Sequence, residues 1–309
     1  MKTFYRQKGI ALITAMLIVS LVVITAATLA TQQQLDIRRT ANVLAQEQAW
    51  LYAIGVEDWA KGVLKQDAKK SKHDFLSESW TAPLRPIDID GGQLAGLITD
   101  EQAKFNLNNL VKDGKASLPD IERFKRLLIT LELDSGLTQA IVDWIDLDQE
   151  TSFPNGAEDQ FYSGLDTPYR TANRPMSDIS ELRLIKDITG EIYRLLIPHV
   201  TVLPEYTSIN INTATEPVLM SIAAGMSTLG SSSIISDREE SGFETLEGFL
   251  KHNALAGLEV NQTGLSVTSG YFNLASTVKI NNSSIKLDSL LARKATGQVF
   301  TLARKRRSY

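Results

Sequence analysis

Between Asp143 and Tyr162 six carboxylates fall within 20 residues: Asp143, Asp146, Asp148, Glu150, Glu158 and Asp159, with an Asn155-Gly156 turn among them. Hard cations take six to eight oxygens from carboxylates, carbonyls and water, often from one loop leaving a helix. Asp146 and Asp148 stand at i and i+2, as ligands do in EF-hand loops, but Glu158 does not fall where the EF-hand rule would put it. The chain has no cysteine, and His73, His199 and His252 lie far apart. That removes disulfides, iron–sulfur clusters and thiolate chemistry, and disfavours a transition metal. Calcium is the candidate cofactor, with Asp146, Asp148, Glu158 and Asp159 as ligands and Asp143 and Asp166 in reserve. The alternative is a solvated acidic loop, against which stands the repulsion of carboxylates crowded without a cation or donors.

Little else in the chain could carry a reaction. Paired acids alone could suggest glycoside hydrolysis, but aromatic residues are only 7%. There is no nucleophile–histidine–acid spacing, phosphate loop or nucleotide fingerprint, so an enzyme is not expected. Two Asn-rich segments, Asn106–Leu110 and Ile209–Ala214, each precede an apparent helix pair. The second resembles the opening of helix-hairpin-helix modules, which hold DNA backbones through main-chain amides. Around it, however, Asp237, Glu239, Glu240, Glu244 and Glu247 outnumber Arg238 and Lys251, and the whole chain carries a formal net charge of −4. That balance repels phosphate, so no nucleic-acid partner is expected and the Asn residues are read as helix caps. The basic end Arg304-Lys305-Arg306-Arg307 reads as a solvated terminus.

The elements that must position these residues begin with the most informative stretch. Lys2, Arg6 and Lys8 precede Gly9, and Ile10 to Thr31 then run for 22 residues without a charge. At 1.5 Å per residue such a helix crosses a hydrocarbon core of about 30 Å, and the cations keep the short N-terminus cytoplasmic. A cleaved secretory signal with a site within Ala26–Ala30 and a plain anchor both fit this arrangement, and a third reading rests on a family resemblance. From Gln32 the pattern stays helical: Leu35, Val43, Leu44, Trp50, Leu51, Ile54, Trp59, Val63 and Leu64 recur at threes and fours with no proline before Pro83. One helix over about 10–66 is the economical solution.

Leu84–Asp90 and Gln93–Thr99 flank Gly91-Gly92 and predict a hairpin with a primed turn. The middle, about 105–258, is mostly helical, in two small parts over about 105–205 and 206–258. Its helices are expected at Pro119–Leu133, Gly136–Ile145, Ser177–Ile185, Asp187–Ile197, Ala214–Ala223 and Phe243–Lys251. Strand character returns in Leu265–Val278, Asn281–Lys294 and Gln298–Lys305, within a segment 259–309 that would complete the sheet. The fold class is therefore α+β: a long N-terminal helix packed on a small antiparallel sheet, with a large, mostly α-helical domain inserted between the strands.

Gln7-Lys8-Gly9-Ile10-Ala11-Leu12-Ile13 resembles a type IV prepilin leader. In that family a membrane peptidase cuts after the glycine and leaves the apolar helix on the mature chain, which implies cleavage between Gly9 and Ile10, with residues 1–9 as leader and 10–31 as the transmembrane part of a spine that runs, with the first strands, to 104. Most members carry Glu at the fifth mature position, to pair with a neighbour's terminal amine; here it is Thr14. A subunit with no membrane-distal neighbour would need no such acid. Leader, spine, split sheet and insertion together resemble the K family of type II secretion minor pseudopilins. That resemblance implies a non-enzymatic subunit at the tip of a periplasmic pseudopilus, anchored by one helix in the inner membrane before assembly. Its partners would be other minor pseudopilins through the N-terminal helix, the prepilin peptidase and the inner-membrane secretion platform. It also implies calcium in the insertion. A minor pilin of a type IV pilus or competence system, and an uncleaved membrane-anchored periplasmic binding protein, are the alternatives.

Overall fold

The computed structural model describes residues 9–281 and 283–307. The leader cations Lys2, Arg6 and Lys8 lie outside the described residues. Helix α1 spans Ile10–Lys70, one turn beyond the expected end. Lys69 and Lys70 in its last turn suit the negative end of the helix dipole. At 61 residues it is about 90 Å long, and among the described residues it is the one helix long and apolar enough to cross a membrane. Among the described residues nothing packs on its first 35 positions; burial starts at Ala45. Ala45, Ala49, Ala53, Val56, Ala60 and Leu64 then form one stripe at spacings of three and four, and its alanines allow a close approach to the sheet.

The partner of that stripe begins with β1 (Leu84–Ile89) and β2 (Gly92–Asp100). Ile89 pairs with Gly92, so Asp90 and Gly91 alone make the turn. Only Gly91 has a positive φ, +78°, which departs from the expected primed turn centred on Gly91-Gly92. Gly92 instead lies in the strand, where a Cβ would come 1.8 Å from the carbonyl oxygen of Lys279. Gly92→Ala is therefore expected to lower stability by about 1–3 kcal/mol through displaced backbone, read as an earlier unfolding midpoint. An unchanged midpoint would mean the strands separate freely there.

The insertion leaves the sheet after β2. Its first part contains β3 (Phe105–Asn106), β4 (Val111–Lys112), β5 (Lys115–Ala116), α2 (Leu118–Thr130), α3 (Leu137–Ile145), α4 (Asp159–Tyr162), α5 (Gly190–Leu196) and β6 (Val200–Thr201), which returns parallel to β3. The second contains β7 (Ile209–Asn210), α6 (Glu216–Met220), α7 (Thr228–Arg238), α8 (Leu246–Leu250) and β8 (Leu265–Ser266), parallel to β7. Buried side chains from Phe105 to Leu265 form one continuous apolar cluster across both parts. Residues 179–184 are a 3-10 helix whose capping box is made by Asp178 and Glu181. Sequence reasoning missed α7 altogether. Its Thr-Leu-Gly-Ser-Ser-Ser start is poor in helix formers, and it buries only Ser231, Ile234 and Arg238.

The Asn segments do more than cap. Asn106 and Asn210 accept local backbone N–H groups, but their amides cross the fold. Asn106 Nδ2 donates to the Glu205 carbonyl at 2.9 Å, Asn108 Nδ2 to that of Leu203 at 2.9 Å, and Asn109 Nδ2 to that of Thr207 at 2.7 Å. They tie the start of the insertion to the linker between its two parts.

The chain re-enters the sheet through β9 (Tyr271–Ile280), β10 (Ser283–Arg293) and β11 (Val299–Arg306). The order is β1-β2-β9-β10-β11, antiparallel throughout. Trp80, Ile98, Phe272, Leu274 and Leu291 pack against Val56–Leu64 of α1; Val278, Ile280, Ile285 and Leu287 pack against Ala45–Ala53. The β2 and β9 ends that border the insertion thus lie beside the C-terminal, membrane-distal part of the spine.

Candidate metal centre and subunit surfaces

Helix α3 places the acidic loop. Its buried Ala140, Ile141, Trp144 and Ile145 hold it in the core of the insertion, and Asp146 leaves the helix in an extended conformation. The Trp144 ring meets Tyr162 edge-on at 5.4 Å, which pins the start of the loop to its end. Asp143, fully buried, accepts the Ser152 N–H at 3.0 Å. A Cβ on Gly156 would fall 2.2 Å from Asp143 Oδ2 and 2.5 Å from the Ser152 carbonyl, so glycine lets the loop fold over that carboxylate.

This folding brings Asp146, Asp148 and Glu158 together, with one oxygen of each within 4.8 Å of the others. Asp148 is exposed, whereas Asp146 and Glu158 are 8% and 3% exposed. Asp146 Oδ1 and both Glu158 carboxylate oxygens are buried with no hydrogen-bond partner. Burial, then the charges of Asp148 and Asp143, push Asp146 up to about 7. Burial, then Asp143 and Asp146, push Glu158 up to about 7. Three unpartnered buried oxygens beside a third carboxylate are what a hard, oxygen-seeking cation would satisfy. The donor set fits calcium and contains no nitrogen or sulfur.

Asp159 is not in this group. Its Oδ1 accepts from Thr171 N at 2.9 Å and Thr171 Oγ1 at 2.8 Å, because α4 begins at Asp159 and turns its side chain toward the 170s. Asp166 is exposed. A second close group, Asp67, Asp74 and Glu78, was not singled out from the sequence. Its counter-charge comes from more than 200 positions away: the guanidinium of Arg293 bonds Asp67 at 2.9 Å and also Asp74. It is an ion-pair cluster.

On the spine, Gly9 immediately precedes the first helical residue, and Ile10 is 56% exposed. Thr14 Oγ1 donates back to the carbonyls of Ile10 and Ala11, so it presents no charge and no spare proton to a neighbour. Farther along, Ile37, Leu44 and Leu51 recur every seven residues at 61%, 63% and 69% exposure. This row is distinct from the stripe facing the sheet, and heptad spacing suits a second helix.

A membrane-length spine laid on an antiparallel sheet, with a polar-anchored helical domain spliced between its strands, defines a pilin-type subunit with an enlarged head. Family models described as type II secretion system protein K match residues 103–205 and 209–268. The chain is 38% identical to type II secretion system protein K of Pseudomonas aeruginosa, covering 96% of this chain and 92% of that one. It is 32% identical to that of Aeromonas hydrophila over 97% of each. The crystal structure of the GspK-GspI-GspJ complex from enterotoxigenic Escherichia coli superposes with a TM-score of 0.80 at 27% identity, covering 88% of this chain and all of the matched chain. The chain belongs to the type II secretion system protein K family. It is a minor pseudopilin of type II secretion, a structural subunit and not an enzyme.

Proposed function

We propose that this chain caps the tip of a periplasmic pseudopilus, where it helps start assembly and limits length. The observation that carries this is the place of the insertion. It springs from the membrane-distal ends of β2 and β9, where a further subunit would otherwise stack. The uncharged, self-bonded Thr14 supports the same position, since a terminal subunit has no distal neighbour to pair with. The solved relative was crystallised as a complex with GspI and GspJ; by that likeness the partners here are two other minor pseudopilins, met through the Ile37–Leu44–Leu51 row. Partner helices replace lipid contacts as the 22-residue apolar segment leaves the inner membrane.

Before assembly the N-terminus faces the cytoplasm and the bulk faces the periplasm. Prepilin peptidase cuts between Gly9 and Ile10, and the inner-membrane secretion platform draws the mature spine upward. The insertion works as two modules, 105–205 and 206–258. Calcium, held by Asp146, Asp148 and Glu158, fixes the loop of the first module. When bound it supplies positive charge to oxygens that have no other partner; Asp143 and Gly156 shape the loop around it.

The test is cross-linking in cells. Leu44→Cys, paired with a cysteine introduced at the facing helix position of a partner minor pseudopilin, should form disulfide-linked adducts when a mild thiol oxidant is added, and Leu44→Asp should lower secretion of exported enzymes about tenfold or more through loss of an apolar helix contact. Gly9→Ala should leave the chain at its unprocessed mass and stop secretion. Normal export by both variants would overturn this placement.

A further inference from the structure

The joint between spine and insertion contains buried acids that neither assembly nor the calcium loop uses. Asp67 is the last buried residue of α1, and Asp74 lies in the following loop; they are 6% and 2% exposed. Glu78, from the same loop, completes a group whose oxygens lie within 4.8 Å of one another. The β2 end adds Asp100, 5% exposed. Against these stands a single buried cation, Arg293 at the end of β10, which bonds Asp67, Asp74 and the Ser269 carbonyl. From the insertion come only neutral groups. Thr213 Oγ1, Asn210 Nδ2 and Ser269 Oγ all donate to Asp100 Oδ2, and Ser269 N donates to Asp74 Oδ2 at 2.7 Å.

Four of the ties that fasten the second part of the insertion here therefore end on a crowded carboxylate, beside others that end on main-chain carbonyls, from Asn210 Nδ2 to Asp74 and from Gln102 Nε2 to Ser208. With all four acids ionised, the joint holds more negative charge than one guanidinium offsets, and in a buried site that repulsion is weakly screened. Each proton taken up by the group lowers that repulsion without breaking the hydrogen bonds to Asp74 and Asp100. We propose that the Asp67–Asp74–Glu78 group, facing Arg293, is a proton-operated clasp that tightens the joint between the pilin body and the inserted domain on mild acidification.

The direction is consistent with the individual groups. Burial, then the charges of Glu78 and Asp74, push Asp67 up to about 6 despite Arg293. Burial likewise raises Asp100 to about 6 against its hydrogen bonds from Ser269, Thr213 and Gln102. A carboxyl raised in the closed joint contributes stability fully present below its ordinary value and lost as pH rises through about 6.

Hydrogen–deuterium exchange on the full chain in detergent tests this. A chelator is kept present, so that the acidic loop is equally free of cation in every arm. Protection factors of the segments 71–81 and 266–270, corrected for intrinsic rates, are expected to rise roughly tenfold from about pH 7 to about pH 5. Asp67→Asn should hold them near the acid value at both. Glu78→Gln, which deletes one facing charge, should move the transition to lower pH even if Asp67→Asn folds poorly. A wild-type joint without pH dependence, or an unshifted transition in Glu78→Gln, would overturn the clasp. So would recovery of acid-level protection at pH 7 when calcium replaces the chelator in an Asp146→Asn background, since that would make the group a cation site.

Discussion

Calcium at millimolar concentration is expected to raise the unfolding midpoint of the full chain in detergent by several degrees at mildly alkaline pH, and Glu158→Gln is expected to abolish most of that rise. A ligand at one hundred times its dissociation constant stabilises the folded state by about 2.7 kcal/mol, which in a chain of this size is several degrees. The gain should be pH-dependent with a definite sign. In the cation-free chain Asp146 and Glu158 are both raised to about 7, so the stability they contribute is present under acid conditions and lost as pH rises through about 7. Calcium needs both carboxylates ionised, so its affinity falls as pH drops below that value. The variant therefore crosses the parent: Glu158→Gln should be the more stable chain in chelator at alkaline pH, because it removes a buried unpartnered charge, and the less stable one in calcium. Calorimetry or a thermal scan settles it. A parent chain indifferent to calcium at all pH values would sink the metal centre and leave a protonated acidic loop.

The second large effect lies on the spine. Glu57 is fully buried between α1 and the sheet. It accepts from Arg304 Nε at 2.8 Å and Nη2 at 2.9 Å, Ser289 Oγ at 2.8 Å and Thr301 Oγ1 at 2.5 Å, with Lys61 at 2.8 Å. Burial alone would raise its carboxyl, but the bonds from Arg304, Lys61, Thr301 and Ser289 together outweigh that and hold it well below the usual carboxylate range. Glu57→Ala strips all five contacts, from four partners, at once and leaves two hydroxyls and a guanidinium without their acceptor. Breaking a buried pair costs about 3–5 kcal/mol. Arg304 is 41% exposed and can turn to water, so the lower end, about 3 kcal/mol, is expected. Arg304→Ala should cost about 1 kcal/mol by the same reasoning. Because the folded value is depressed, the stability from Glu57 is present above the ordinary carboxylate pKa and is lost as pH falls below it. Urea titrations of the two variants at neutral pH provide the check; equal losses would mean that Arg304, not the carboxylate, organises the contact.

Glu57 also marks where sequence reasoning stops. The spine was legible because a helix is a local object: its apolar run, its three–four periodicity and the absence of proline all sit within one segment, and only the final turn to Lys70 was missed. The split sheet was legible for the same reason, each strand announcing itself by alternation and the hairpin by Gly91. Acidic residues crowded between 143 and 159 were visible as a cluster, and Asp146, Asp148 and Glu158 do converge. What alternation and crowding could not say is which way each carboxylate turns. Asp159 differs from Glu158 by one position, yet the start of α4 sends it to Thr171 while Glu158 stays buried and unpartnered.

Element type and fold class follow from local residue patterns, because backbone propensity and periodicity act over a few residues. The tertiary structure alone decided which charges meet. Arg293 reaches Asp67 and Asp74, Arg304 reaches Glu57, and Asn106 reaches Glu205 across separations of about a hundred residues or more. Such contacts depend on how the sheet closes around the insertion, and no local pattern encodes the distance between two side chains that the chain brings together only after it has folded.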